Sequence, residues 1–396
     1  MIKRALSDLV YKDLTAEKMV FISGPRQVGK TTLARAIGSE HFSNRYSYLN
    51  WDSREDRASI LKGEFRADKA LVIFDEIHKY RQWKNYLKGE YDKYKERFKI
   101  LVTGSARMDI RCPDRKGGDS LQGRYHHYLL HPLSINEVIG NRTKVAPFHE
   151  PDFNTGSKEA AGAFDALFRF GGFPEMFVKQ SDRELRRWHN DRVDRLVRED
   201  IRDIESLRDL SAVEVMVEML PERAGSVFSL NSLCEDLRAT HRTVSLWADV
   251  LEKFYYHFRI YPFQYSAIKS LRKEPKLYLW DWTQVKAEGA RFENMVASHL
   301  LKFCDYLRNA EGYKAALHYI RDVEKREVDF LIAVDGKPWL CAEAKLSKED
   351  VSPALKYFRA KMKIPLAYQV LKEEGVDVIR DNVRTISASA FLTGFF

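Results

Sequence analysis

The run Gly24-Pro25-Arg26-Gln27-Val28-Gly29-Lys30-Thr31 has the spacing Gly-x-x-x-x-Gly-Lys-Thr, with which a backbone loop surrounds phosphate groups. The glycines let N–H groups close around phosphate oxygens, and the helix that follows adds the positive end of its dipole. Lys30 would reach the β- and γ-phosphates and the Thr31 hydroxyl would coordinate Mg²⁺. The expected phosphate-binding set is therefore Gly24 to Thr31 together with Thr32. An apolar strand, Met19-Val20-Phe21-Ile22, precedes the motif and a helical run, Thr32 to Ile37, follows it. Downstream, Leu71-Val72-Ile73-Phe74-Asp75-Glu76 is a second apolar strand, ending in two acids. Asp75 could complete the Mg²⁺ shell, and Glu76 could act as general base on the attacking water. A third run, Lys99 to Ser105, ends in small polar residues. Ser105 or Thr103 would face the γ-phosphate from the sheet edge, or simply turn the strand into a loop. Together these elements predict a domain that binds and hydrolyses ATP.

A second set of acids lies near the C-terminus. A helix expected over Arg291–Phe303 carries Glu293 at the fringe of its apolar stripe. Two strands follow, Glu327–Ile332 and Trp339–Lys345, joined through Asp335-Gly336. Glu343 and Lys345, two apart, share one strand face, and Asp329 lies on the neighbouring strand of the hairpin. This order of helix Glu, strand Asp and Glu-x-Lys resembles the PD-(D/E)xK nucleases. In that reading Asp329 and Glu343 hold Mg²⁺, or Mn²⁺, through oxygen ligands. Lys345 orients or deprotonates a water, and the metal stabilises the phosphate transition state. A cross-strand ion pair on an exposed hairpin would use the same residues.

Two further stretches bear on partners. Between the acid pair and Ser105, eight basic residues from Lys79 to Lys99 alternate with Tyr80, Trp83, Tyr86, Tyr91 and Tyr94. Such a segment could follow a phosphate backbone; equally, the rings could pack on the sheet while the lysines face water. Farther on, a short helix over Asn231–Arg238, a turn at Ala239-Thr240-His241 and a longer helix from Arg242 through Phe254 match a helix-turn-helix. Arg242, Thr243 and Ser245 would start its second helix, where bases or phosphates are met. Helical hairpins of this spacing also serve as plain packing modules.

The elements needed to position these residues are legible. Strands are expected at Met19–Ser23, Tyr46–Leu49, Ala70–Phe74, Ile100–Thr103 and Tyr125–Leu130, alternating with amphipathic stretches as in a parallel α/β sheet. A linker or exposed loop is expected around Asn141–Ser157, and helix from Lys158 to about Leu210. The 396 residues predict two to four domains. With 44% hydrophobic and 31% charged residues, the chain has material for real cores. No apolar run approaches the ~18–20 residues of a membrane span, and Met1–Asp8 interrupts its apolar residues with charge too early for a secretory leader. Four scattered cysteines, Cys112, Cys234, Cys304 and Cys341, form no CxxC pair. They point to free thiols in a cytoplasmic setting rather than to disulfides or zinc. His126, His127 and His131 lack a ligand spacing. Residues 1–150 contain 28 Lys and Arg against 19 Asp and Glu, whereas 151–396 carry 38 of each. The basic excess thus lies where a polyanion would be drawn to the N-terminal part.

The motifs at Gly24–Thr32, Leu71–Glu76, Thr103-Gly104-Ser105, Gly123-Arg124 with Pro132-Leu133-Ser134, and Gly171-Gly172-Phe173-Pro174 resemble those of a group of bacterial and archaeal AAA-related ATPases. That group carries a winged helix and a C-terminal restriction-endonuclease-like domain. The resemblance implies an arginine-finger position at Arg124 and a helical lid beginning at Gly171–Pro174. One departure is Ala106, which follows Ser105 where a second small polar residue is usual. The expected fold is α/β: a P-loop AAA-like ATPase domain over 1–150, a helical lid over 151–210, a winged helix-turn-helix over 211–270 and a nuclease-like α/β domain over 271–396. The expected function is Mg²⁺-dependent ATP hydrolysis coupled to binding or processing DNA, with phosphodiester cleavage as an output and oligomer formation compatible with it. The alternative is a nucleotide-dependent switch that binds a protein partner and carries an inactive nuclease-like domain.

Overall fold

Three near-continuous apolar runs and two more mixed ones become five parallel strands: β1 (Met19–Ser23), β2 (Tyr46–Asn50), β3 (Leu71–Asp75), β4 (Lys99–Gly104) and β5 (Tyr125–Leu129). Their order is β2-β3-β4-β1-β5. The three central strands bury nearly every residue, as expected where helices cover both faces of a parallel sheet. The helices of this part are α1 (Leu6–Thr15), α2 (Lys30–His41), α3 (Arg54–Lys62) and α4 (Trp83–Tyr94). Local chemistry sets their ends. The Ser53 side chain accepts the Asp56 N–H to start α3, and Gly63, in the left-handed region, ends it.

The computed structural model describes residues 2–66, 68–105, 121–143, 145–201, 209–264 and 273–396. Ala106 and Cys112 lie outside the described residues. The contacts divide the chain into two compact units, residues 3–131 and residues 132–396. The division thus falls earlier than the expected edge at residue 150, and the parts expected after 150 share one unit.

In the N-terminal unit, the aromatic residues of the basic stretch belong to the core. Trp83 is buried, and Tyr80, Tyr86, Tyr91 and Tyr94 pack against the cluster that contains Phe21, Phe74 and Phe98. Tyr86 donates to the Ile60 carbonyl and Tyr91 to that of Glu17. These rings are therefore committed to packing rather than presented for stacking on bases.

The second unit begins with α5 (Ile135–Ile139), α6 (Lys158–Phe170), α7 (Pro174–Lys179) and α8 (Asp182–Arg195). The helical stretch expected from Lys158 is thus divided into separate helices. Gly171 ends α6, Pro174 opens α7 and the Ser181 side chain caps α8. Next come α9 (Leu210–Met219), α10 (Leu230–Leu237), α11 (His241–Lys253) and an antiparallel hairpin of β6 (His257–Ile260) and β7 (Lys276–Leu279). The last part places α12 (Glu288–Asn309) and α13 (Pro353–Met362) with a six-stranded mixed sheet. Its strands are β8 (Ala315–Arg321), β9 (Glu327–Val334), β10 (Lys337–Lys345), β11 (Leu366–Leu371), β12 (Asp377–Arg380) and β13 (Val383–Ser387). They run in the order β12-β13-β11-β10-β9-β8.

Candidate functional site

At the C-terminal edge of the N-terminal sheet, the loop after β1 leads directly into α2. Gly24 has φ +153°, and a Cβ there would stand 2.5 Å from the Leu130 carbonyl oxygen, so only glycine fits. Gly29, at φ +99°, caps α2 in the left-handed region, which leaves the N–H groups of the first turn aimed into the loop. Val28 is held from below: Arg4, itself buried, donates to the Val28 carbonyl at 2.8 Å and to the His131 carbonyl. Sequence reasoning did not find Arg4. Lys30 is buried and bonds the carbonyl oxygens of Gly24 and Pro25 at 2.9 and 2.8 Å, folded back along the loop it would leave to meet a phosphate.

Strand order brings the acids to this loop. β4 lies between β1 and β3, and Asp75 pairs with Thr103 in that register. Asp75 then accepts three hydroxyls: Thr31 at 2.8 Å and Tyr48 at 2.6 Å on Oδ2, and Thr103 at 2.6 Å on Oδ1. The carboxylate is nearly buried, so each of these bonds replaces water it has lost. Tyr48 is a second residue the sequence did not reveal. The Arg35 guanidinium lies 4.0 Å from its ring centre, and burial and the adjacent Asp75 both raise its hydroxyl pKa well above the usual tyrosine value.

Glu76 follows in the left-handed region, at φ +54°. Its carboxylate accepts the Ser105 hydroxyl at 3.2 Å and stands 3.5 Å from His78 Nε2. Burial lowers the His78 pKa, which favours the neutral ring beside Glu76. Thr31 and Asp75 offer adjacent hard oxygen donors and the glycine loop offers a phosphate cradle, so these residues fit Mg²⁺ and a nucleoside triphosphate.

Arg124 is not part of this edge. It precedes β5 at the opposite end of the sheet, where its carbonyl accepts the Met19 N–H and its guanidinium grips Asp92 of α4 through two bonds of 2.8 and 3.2 Å. The expected finger therefore has no place in its own chain's nucleotide site. The reason is strand direction: the residue before a parallel strand lies at the edge away from the loop after its neighbour.

In the second unit the structure brings Glu293, Asp329, Glu343 and Lys345 together, and adds residues that the sequence did not single out. Glu293 stands on α12. In the antiparallel pairing of β9 and β10, Phe330 faces Ala342, and these two are the chain neighbours of Asp329 and Glu343. Lys276, from β7, enters this cluster. Its buried ammonium lies 2.7 Å from Glu327 Oε1 and 3.2 Å from both Glu293 Oε1 and Asp329 Oδ1. Burial by itself would lower its pKa, but Asp329, Glu293 and Glu327 outweigh that and raise it. The three acids have further partners. Asp329 Oδ2 accepts the Ala344 N–H at 3.0 Å, Tyr278 donates to Glu293 at 2.7 Å, and Glu327 Oε2 pairs with Arg321 at 3.4 Å. Gly225, at φ +78°, leaves room for the Glu293 carboxylate, which a Cβ there would meet at 3.3 Å. Burial and the neighbouring Asp329 push the Glu293 pKa up to about 7. Burial raises that of Glu343 too, although Lys345 stands 3.1 Å from it.

The expected divalent-metal site at Asp329 and Glu343 therefore does not fit as drawn. An ammonium already holds the Asp329 oxygen that a metal would need, and no cleavage step follows from this arrangement. The correction comes from β7, which is distant in sequence from both nuclease-like strands.

Comparison with known proteins matches the chain in three stretches. Residues 16–139 match the model of an AAA domain, while residues 162–284 and 288–391 match two models that are each described as a domain of unknown function. The N-terminal unit is thus an AAA-type P-loop domain with an α/β fold. An uncharacterized protein of Methanocaldococcus jannaschii is 24% identical over an alignment that covers 87% of this chain and 79% of the relative. One of Mycobacterium tuberculosis is 21% identical over 95% of this chain and 81% of its own length. Among solved structures, the Thermotoga maritima RuvB Holliday junction branch migration motor is 19% identical, covers 64% of this chain and 89% of its own, and has a TM-score of 0.30. AMPPCP-bound DnaA from Aquifex aeolicus is 16% identical over 62% and 86%, also with a TM-score of 0.30. Likeness at that level says nothing about what this chain binds. No helix among the described residues is long and apolar enough to cross a membrane.

Proposed function

We propose that the N-terminal unit hydrolyses ATP with Mg²⁺ and that the second unit couples this cycle to a bound macromolecule, with DNA as the leading partner. The observation that carries the first part is the 2.8 Å bond between the Thr31 hydroxyl and Asp75, which unites the two halves of a magnesium-nucleotide site. Lys30 exchanges the Gly24 and Pro25 carbonyls for phosphate oxygens, and the loop N–H groups take up the remaining charge. Thr31 and Asp75 would hold Mg²⁺, which would supply positive charge to neutralise the phosphates. Glu76, oriented by Ser105, accepts the proton of the attacking water. A finger role for Arg124 requires a second copy of the chain and release of Asp92. Phosphate release and binding of a fluorescent ATP analogue test the core of this reading. Lys30→Ala should lose both, and hydrolysis that survives in Lys30→Ala would overturn it.

The DNA part is supported by the sequence of α9, α10, α11 and the β6–β7 hairpin, an order that suits a winged helix-turn-helix. Arg242, Thr243 and Ser245 open its second helix, and Thr240 caps it by accepting the Thr243 N–H. Binding should weaken with salt, because each phosphate neutralised releases counterions, with a log–log slope of about −0.9 per contact on duplex DNA. A second reading rests on the same helix: Leu246, 49% exposed, and the exposed Asp249 share its surface with Arg242, a mixed face that suits a protein partner. Absence of DNA affinity at low salt would select that nucleotide-dependent switch.

A further inference from the structure

The chemistry of an ammonium explains the C-terminal cluster better than the chemistry of a metal does. Lys276 has three N–H donors and meets three carboxylates, from α12, from the start of β9 and from Asp329 two residues farther along β9. The distances, 2.7 to 3.2 Å, are those of charge-assisted hydrogen bonds. The lysine side chain is only 3% exposed, so its charge is compensated inside the protein rather than by water. Lys276 belongs to the hairpin that follows α11 and is also bridged to Val227. The positive charge is thus supplied by a different module from the one that carries the acids. Meanwhile Glu343 Oε2 is buried, with the Ser352 hydroxyl near the carboxylate and no short hydrogen bond to that oxygen. Should Lys276 withdraw, Asp329 Oδ1 would join that oxygen as an available acceptor on the facing strand.

We propose that the Lys276 ammonium takes the place of the divalent cation in the nuclease-like site, so that the wild-type domain carries this site in a metal-free form, locked by the β6–β7 hairpin. The inference rests on the nuclease-like reading of Asp329, Glu343 and Lys345. It makes the hairpin the element that decides whether the acids are available. A partner that draws β7 away would expose Glu293, Glu327 and Asp329 at once, at the cost of separating a buried charge from its counter-charges.

Mn²⁺ binding to the nucleotide-free full-length chain, followed by electron paramagnetic resonance, tests this, and it needs neither cleavage nor ATP hydrolysis. Wild type and Asp329→Asn should bind the same small amount of Mn²⁺. Lys276→Met should gain one further ion, held about 100-fold more tightly than any that wild type takes at the acids, because no buried ammonium has to be expelled. That ion should vanish again in Lys276→Met/Asp329→Asn and in Lys276→Met/Glu343→Gln. An ion bound by wild type and lost in Asp329→Asn would overturn the proposal while leaving the nuclease-like reading intact. No extra ion in folded Lys276→Met would overturn the proposal by removing the nuclease-like reading beneath it. Retained ATP hydrolysis and a cooperative melt report whether Lys276→Met is folded. Where it is not, the comparison of wild type with Asp329→Asn still decides, since an Asp329-dependent ion in wild type refutes the proposal and its absence is the result expected.

Discussion

Replacing Tyr48 by Phe removes a single hydroxyl from the nucleotide site and leaves the ring beneath Arg35 in place. That hydroxyl gives Asp75 Oδ2 one of its two hydrogen bonds, at 2.6 Å; the other comes from Thr31 at 2.8 Å. A hydrogen bond to a charged group contributes about 1.5–3 kcal/mol, which at ~1.36 kcal/mol per decade corresponds to roughly a 10- to 150-fold effect. Thr31 and Thr103 still hold the carboxylate, so the lower end applies. Half-saturation of ATP hydrolysis by Mg²⁺ should rise about tenfold, on the scale of a single lost charge-assisted bond. ATP binding measured in EDTA should stay within about twofold of wild type, since the Tyr48 hydroxyl is held chiefly by Asp75 and meets the phosphate loop only at the Thr31 hydroxyl. Phosphate release titrated with Mg²⁺ at saturating ATP, paired with analogue binding in EDTA, separates the two effects. A residue of purely structural importance would weaken both equally. An unchanged Mg²⁺ dependence, or an equal loss of metal-free binding, would refute the view that Tyr48 positions the magnesium carboxylate.

Two further outcomes follow from the same geometry. Glu76→Gln keeps the shape of the side chain and removes the base, so kcat should fall about 10²–10⁴-fold while ATP binding holds; a fall of less than about tenfold would deny Glu76 that role, and Ser105→Ala, which frees the carboxylate without removing it, should cost less. Glu293 has a folded-state pKa above its unfolded value, so the folded chain binds more protons in the interval between them. The stability it contributes is fully present below the ordinary glutamate pKa and is lost as pH rises through about 7. Thermal unfolding of Glu293→Gln against wild type at pH 5 and pH 8 should favour the variant more at pH 8. A difference that is constant or reversed would show that Lys276 already fully compensates the charge.

Much of the nucleotide site was legible before any folding because it is local. The phosphate loop needs its glycines within eight residues, and both β1 and β3 are short enough to be read as apolar runs ending in the right chemistry. The strands at 19–23, 46–50, 71–75, 99–104 and 125–129 lie within a residue or so of their expected positions; for the three central ones, burial on both faces of a parallel sheet leaves a strong apolar signal. The aromatic residues between Lys79 and Lys99 show where local pattern stops. Composition allowed either stacking or packing, and only the placement of α4 against the sheet turned those rings inward.

What the sequence determined by itself, then, is the chemistry available at each local motif: a phosphate cradle, an acid pair, and an Asp with a Glu-x-Lys strand. The tertiary structure decided which of these groups meet. Strand order put Thr103 beside Asp75 and brought Tyr48 from the edge strand. Strand direction sent Arg124 to the far edge and onto Asp92. The β6–β7 hairpin delivered Lys276 into a cluster whose acids are 17 to 53 residues away in the chain. Hydrogen bonds and ion pairs of that kind act over a few ångströms and carry no periodicity along the chain. They are therefore invisible to pattern until the fold has closed the distance.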